Sequence, residues 1–247
     1  MARDRFSDQA TLYASYRPSY PPELINYILQ FVKKKDSAWD CATGNGQAAV
    51  LLADHFEKVF ATDHSEKQLA LATPKQNISY SVSSAEHTPF EDHYFDLITV
   101  AQAYHWLKAE SFAREVKRVA KRDGIIAIWG YNIPFCDFPV VNECIEYFYT
   151  AIVGKYWDPE RRFIDEEYST VHFPYNELPG RRFEFPVEWH LMQLAGYLQS
   201  WSSVMNFQRM HNYDLVDEYL PQLTKAWPDT EAKLLFRFPI FLRLGRV

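Results

Sequence analysis

The residues of this chain best able to do chemistry lie together in Asp40-Cys41-Ala42-Thr43-Gly44-Asn45-Gly46-Gln47. An acid stands just ahead of a glycine turn that opens a helix. A Gly-x-Gly turn between strand and helix lets a ligand approach the backbone closely, because no Cβ stands in the way. Most such turns hold phosphate with the amides and positive dipole end of the helix. Asp40 puts a negative charge at that spot, which repels a diphosphate and suits an ammonium group carried beside an adenosine. S-adenosylmethionine is a ligand of that kind. Gly44 to Ala49 also fits the dinucleotide fingerprint G-x-G-x-x-G/A, so a nicotinamide cofactor is the alternative. A second acid, Asp63, follows Gly44 by 63 − 44 = 19 residues. An acid about 20 residues on, at the tip of the next strand, is placed to accept hydrogen bonds from ribose hydroxyls.

The elements that must position these groups are readable around them. Ser37 to Cys41 is a short strand, Gln47 to Ala53 a buried helix, and Lys58 to Thr62 a second strand ending in Asp63. Ser65 is the expected N-cap of the next helix, with Gln68 three residues later. Before the first strand, Pro21-Pro22 leads into an amphipathic helix over roughly Glu23 to Lys34. Asn77 to Val82 and Phe95 to Ala101 read as further strands, and Gln102 to Trp106 as a loop. A helix from Ser111 to Lys121 follows, and Asp123-Gly124 turns the chain into a strand at Ile125 to Trp129. Helices and strands alternate, which predicts a parallel sheet with right-handed crossovers.

Beyond Tyr131 the composition changes. Residues 132 to 180 carry five prolines and many aromatics without a period-two strand, and read as a cap or lid with one helix over Val140 to Val153. Strands return at Arg181 to Val187 and Lys233 to Arg243, with helices over Leu191 to Met205 and Tyr213 to Trp227 between them.

The chain has 247 residues, 47% hydrophobic, enough for one large α/β domain with its own core. Aromatic residues make up 17% of it, a density that suits a pocket lined with rings. The net charge of −6 argues against a nucleic-acid partner, which calls for a basic face. No apolar run approaches the roughly 18 residues of a membrane helix, and Met1 to Asp8 lacks a signal-peptide core. Three cysteines with no metal or redox spacing predict reduced thiols, a cytoplasmic location and no metal site.

Several stretches together resemble the class I S-adenosylmethionine-dependent methyltransferases, in the small-molecule branch similar to trans-aconitate methyltransferases. They are Tyr13 to Pro21, Asp40 to Gly46, Asp63-His64-Ser65, Ser84-Ala85-Glu86 with Pro89-Phe90, and Phe95 to Trp106. Weaker similarity runs through Gly196 to Ser202 and the final strands. The resemblance implies an α/β, Rossmann-like, seven-stranded and mostly parallel sheet. Its last strand is antiparallel, helices cover both faces, and a helical, aromatic-rich cap completes it. One domain spans 1–247, with its core at about 22–131 and 181–247; the cap is the insertion at about 132–180 plus helices at about 190–228. The cofactor would lie at the carboxyl ends of the strands. Asp40, Gly44 and Gly46 would hold its methionine part and Asp63, with His64 beside it, the ribose. Ser84 and Ala85 would meet the adenine edge, while Ala101 and Gln102 would flank the sulfonium. Two positions depart from the family pattern: Ala42 stands where glycine is common, and Ser84 where many relatives have aspartate.

Other residues are read on their own chemistry. Aromatic rings near a sulfonium stabilise its charge, and Arg17 suits a carboxylate, so Tyr16 and Arg17 are expected at the cofactor. His105, after the fourth strand, is the candidate general base for a hydroxyl acceptor. Tyr20, Tyr104, Trp106 and Trp201 are the candidates for the acceptor pocket. The expected reaction is methyl transfer from S-adenosylmethionine to a small molecule, with a carboxylate of a small organic acid as one acceptor. A nicotinamide-dependent oxidoreductase and a non-catalytic S-adenosylmethionine-binding protein are the competing readings. The sequence does not set the oligomeric state.

Overall fold

The computed structural model describes residues 19–247, so Tyr16 and Arg17 lie outside the described residues. The first half alternates as expected. Helix α1 (Pro22–Leu29) precedes β1 (Ser37–Cys41), α2 (Gln47–Ala53), β2 (Lys58–Asp63), α3 (Glu66–Leu69) and β3 (Ile78–Val82). Then come β4 (Phe95–Ala101), α4 (Ala109–Val119) and β5 (Ala120–Tyr131). After β5 the chain forms β6 (Phe135–Cys136), α5 (Pro139–Tyr147), α6 (Arg162–Asp165), β7 (Asn176–Leu178) and β8 (Arg182–Trp189). Helices α7 (Leu191–Gln199), α8 (Ser202–His211) and α9 (Leu215–Ala226) lead to the last strand, β9 (Leu234–Arg246).

Seven longer strands make the sheet in the order β3-β2-β1-β4-β5-β9-β8, and β6 and β7 add short pairings to β9. The pairs β1–β2, β1–β4, β2–β3 and β4–β5 are parallel, whereas β9 runs antiparallel to both β5 and β8. The seven-stranded, mostly parallel sheet with one antiparallel strand is therefore present. Side chains alternate between its faces, as a pleated strand requires. Ile125, Ala127, Trp129 and Tyr131 of β5 face one apolar cluster with Leu24, Ala49 and Leu198; Ile126 and Ile128 face the other, with Phe112 and Val116 of α4. Because both faces are covered, β1 is buried at every position. Pro186 is tolerated in β8 because that strand pairs with β9 alone.

Several elements differ from the sequence expectation. The helix predicted over Glu23 to Lys34 ends at Leu29, and β5 begins at Ala120, ahead of the predicted Asp123-Gly124 turn. The helix predicted over Val140 to Val153 ends at Tyr147 and continues as one wide π-turn, Phe148–Ile152. The helix predicted over Leu191 to Met205 is two helices, broken where Trp201 takes an extended conformation (φ −75°, ψ 139°). In the segment with no predicted strand, β6 and β7 form by pairing with β9, a contact across about a hundred residues of chain for β6.

Candidate active site

The parallel register brings the predicted residues to the carboxyl edge of the sheet. Asp40 sits beside Thr99 and Ala61, and Ala101 is level with Trp129 of β5. Between β1 and α2 the backbone is left-handed at Ala42 (φ 54°), Gly44 (φ 59°) and Gly46 (φ 83°). The Thr43 amide donates to Thr62 O at 2.9 Å and the Gly46 amide to Thr43 O at 3.0 Å, which fixes the turn to the end of β2. Gly46 is then the N-cap of α2.

Asp40 serves this turn from inside. The carboxylate is wholly buried and accepts from the Thr43 hydroxyl on one oxygen and from the Thr99 hydroxyl, at 2.8 Å, on the other. Burial pushes its pKa up to about 6, against the opposing pull of Thr43, Thr99 and the Ala49 amide. Each oxygen thus accepts one hydrogen bond, and together they join β1, the turn and β4.

Asp63 is placed differently. It is half-buried at the tip of β2, where Oδ2 accepts from the Gly44 amide and Oδ1 from the Ser65 amide, each at 2.8 Å. Two acceptor oxygens carry lone pairs beyond these bonds, so the carboxylate both anchors the glycine turn and keeps capacity for hydroxyls. Desolvation raises its pKa, opposed by the Ser65, Gly44 and His64 amides. His64 is exposed beside it, and Ser65 caps α3 by accepting from the Gln68 amide at 3.3 Å, as its position predicts.

After β3, the exposed Ser84 donates to Glu86 Oε2 at 2.6 Å and accepts from the Glu86 amide at 3.2 Å, next to the buried Ala85. At the end of β4, Gln102 is left-handed (φ 55°). Its side chain accepts from the Tyr131 amide at 2.8 Å and donates to Tyr131 O at 3.1 Å, so it clamps the end of β5.

The loop that follows is a short turn, Tyr104–Trp106. His105 shares a hydrogen bond through Nδ1 with the Tyr168 hydroxyl at 2.9 Å and lies against Trp106, with ring centroids 4.6 Å apart. Burial, then the positive charge of Arg161, lowers its pKa to about 3. The imidazole is neutral across the physiological range. Tyr104 is buried and donates its hydroxyl to His172 O at 2.5 Å; Tyr20 is buried edge-on against Trp129, 5.3 Å between centroids. Trp201 is buried too, behind Tyr149 and Trp157 at 5.6 and 5.5 Å. Of the four predicted acceptor-pocket residues, Trp106 is the one left half-buried at the site.

Sequence reasoning passed over Tyr80 and Tyr168, and read Arg161 only as one of an arginine pair able to receive carboxylates. Tyr80 of β3 lies over the glycine turn: a Cβ on Gly46 would stand 2.4 Å from its hydroxyl oxygen. Tyr168 partners His105 from a loop 63 residues away. Arg161 sets the field at His105 from the cap. The aromatic density and the Arg161-Arg162 pair signalled the cap, but no local spacing links it to the loop after β4.

Comparison with known proteins now bears on this geometry. The family model described as a methyltransferase domain matches residues 39–128. A Dictyostelium discoideum protein named as a methyltransferase is 33% identical over 251 residues, 98% of this chain and 95% of its own length. The chain belongs to the S-adenosylmethionine-dependent methyltransferases. A solved structure named as a type II methyltransferase, from Anaeromyxobacter dehalogenans, shares the architecture at 33% identity and a TM-score of 0.86, with 94% of this chain and 98% of that one covered. A Saccharomyces cerevisiae protein named as an S-adenosylmethionine-dependent methyltransferase is 30% identical over 62% of this chain and 56% of its own. With the methyltransferase family assigned, S-adenosylmethionine is the cofactor and the nicotinamide reading falls. The residues fit that cofactor: Gly46 opens α2 without a side chain, and Asp63 retains acceptor capacity.

Proposed function

We propose that this enzyme methylates a carboxylate of a small organic acid, as the likeness to trans-aconitate methyltransferases suggests. The state of His105 carries the reading. An imidazole whose basicity burial lowers to a pKa of about 3 is a poor general base for a hydroxyl acceptor. A carboxylate is already ionised there and needs no base.

Bound at the glycine turn, S-adenosylmethionine supplies an electrophilic methyl group. The chain's contribution is alignment and exclusion of water, an effect that can reach roughly 7–11 kcal/mol. In this reading Gly44 and Gly46 admit the methionine part, with Asp40 holding the turn in shape. Asp63 and His64 serve the ribose, Ser84 and Ala85 the adenine, and Ala101 and Gln102 the sulfonium side. Tyr16 and Arg17, which lie outside the described residues, are the expected partners of the sulfonium and of a carboxylate. Trp106 walls the acceptor, His105 orients it by hydrogen bonding, and Tyr20, Tyr104 and Trp201 support that wall from behind. The cap joins the core in one domain, and the net charge of −6 supports a small acceptor over a nucleic acid. No helix among the described residues is long and apolar enough to cross a membrane, in keeping with a cytoplasmic enzyme.

The test is incubation of the full chain with labelled donor and a panel of organic acids, followed by mass spectrometry. An alkali-labile methyl ester, formed at a rate flat between about pH 5.5 and 8, is the expected product. A base-stable methyl ether, or a rate that climbs through pH 6.5, would end the carboxylate reading.

A further inference from the structure

Arg161 is an arginine with most of its hydrogen-bonding capacity unspent. It closes the short turn Pro159–Arg161, which packs against the Tyr104–Trp106 turn after β4. Its side chain is 16% exposed. The Nε edge is engaged: Nε donates to the Tyr149 hydroxyl at 2.8 Å, and that hydroxyl donates to Asp165 Oδ1 at 2.5 Å. Asp165 Oδ1 itself stands 3.4 Å from Nε. The guanidinium carbon lies 4.9 Å from the Trp157 ring centroid and 5.3 Å from that of Tyr149, so the head group is stacked as well as bonded.

The other edge is open. A guanidinium carries five N–H donors, and no hydrogen bond or ion pair among the described residues uses Nη1 or Nη2 of Arg161. A planar fork, held from behind and stacked on two rings, is pre-organised for the two oxygens of an oxyanion.

We propose that Arg161 holds an anionic group of the methyl acceptor, a carboxylate or a phosphate, at a place distinct from the atom that is methylated. The inference rests on the methyl-transfer reading above. The two places differ because a fork bonded to an oxyanion draws density from it and makes it a poorer nucleophile. Arg161 therefore selects acceptors with a second charge and sets which end faces the cofactor.

Calorimetry on the full chain saturated with S-adenosylhomocysteine tests this, with glutarate as the carboxylate probe and glycerol 2-phosphate as the phosphate probe. One of them is expected to bind the wild type, which tells the two chemistries apart. Arg161→Gln should weaken that probe about tenfold to a hundredfold, and Arg161→Lys, a point charge without the fork, should recover only part. Both variants should hold S-adenosylhomocysteine within about twofold of the wild type, which also reports that they are folded. Wild-type affinity for the probe in Arg161→Gln overturns the proposal, as does a wild type that binds neither anion, or full recovery by Arg161→Lys. Failure of the methyl-transfer reading has a different signature: anion binding that depends on Arg161, with no methylated product from any acid.

Discussion

Gly46→Ala puts the geometry of the cofactor turn to a quantitative test. Gly46 is left-handed at φ 83°, a conformation that costs an L-residue about 1–2 kcal/mol. The new Cβ would lie 2.4 Å from the Tyr80 hydroxyl oxygen and 3.0 Å from Tyr80 Cε1, and overpacking of this kind adds about 1–3 kcal/mol. The expected loss is therefore about 2–5 kcal/mol. Tyr80 cannot swing away freely, because its hydroxyl donates to Thr73 O at 2.8 Å. Tyr80→Phe alone gives up that bond, a cost of about 1 kcal/mol. In the double variant the worst contact no longer exists, so the two losses should fall short of their sum by about 1 kcal/mol or more. Urea unfolding reads both quantities as shifts in midpoint at unchanged slope. S-adenosylhomocysteine calorimetry on the same proteins reports whether the turn still receives a ligand. Gly46→Ala within about 0.5 kcal/mol of the wild type, or strict additivity in the double variant, would falsify the packing argument.

Three further outcomes follow from the same site. Asp40 has its folded pKa raised to about 6 from the usual 3.8, so its ionisation opposes folding by about 3 kcal/mol above pH 6, and the penalty fades as pH falls toward 4. Asp40→Asn should flatten that segment of the stability–pH curve, and an unchanged curve refutes the buried-carboxylate account. His105 has its folded pKa lowered to about 3, so the unfolded chain takes up a proton first and stability drains away as pH falls from about 6.5 toward 3; thermal melts of His105→Gln should lack that loss. Ala42→Gly relieves a left-handed alanine (φ 54°) and should stabilise the fold by up to about 1 kcal/mol, where a destabilised variant would show that the alanine methyl is needed for packing.

The first half of the fold was legible because its signals are local. A glycine turn, an acid 19 residues on, and apolar runs of strand length located β1, α2, β2 and β4 to within a residue. The hydrogen bonds that Asp40 makes within the chain were not legible. Spacing places an acid at a strand tip but does not say whether neighbouring hydroxyls will turn it inward, and Thr99 meets it only across the β1–β4 register. The break at Trp201 and the wide turn after Tyr147 were hidden for another reason, since tertiary packing overrides a continuous helical pattern. Pairings such as Phe135 with Arg237 join residues a hundred apart and leave no mark in either segment. A separation of 63 residues likewise hid the meeting of His105 with Tyr168.

Strand β9 runs down the middle of the later half of the sheet, holding β5 and β6 along one edge and β8 and β7 along the other. Among the described elements it is also the final one to leave the ribosome. Four strands must therefore wait, their unpaired edges presented to whatever is nearby, until synthesis reaches Leu234. A nascent chain stalled before that point would expose the edge of β5, with its three isoleucines, and that of β8, with its two phenylalanines, the kind of surface that chaperones shield. The order of the gene thus makes completion of the active-site scaffold a late and single event.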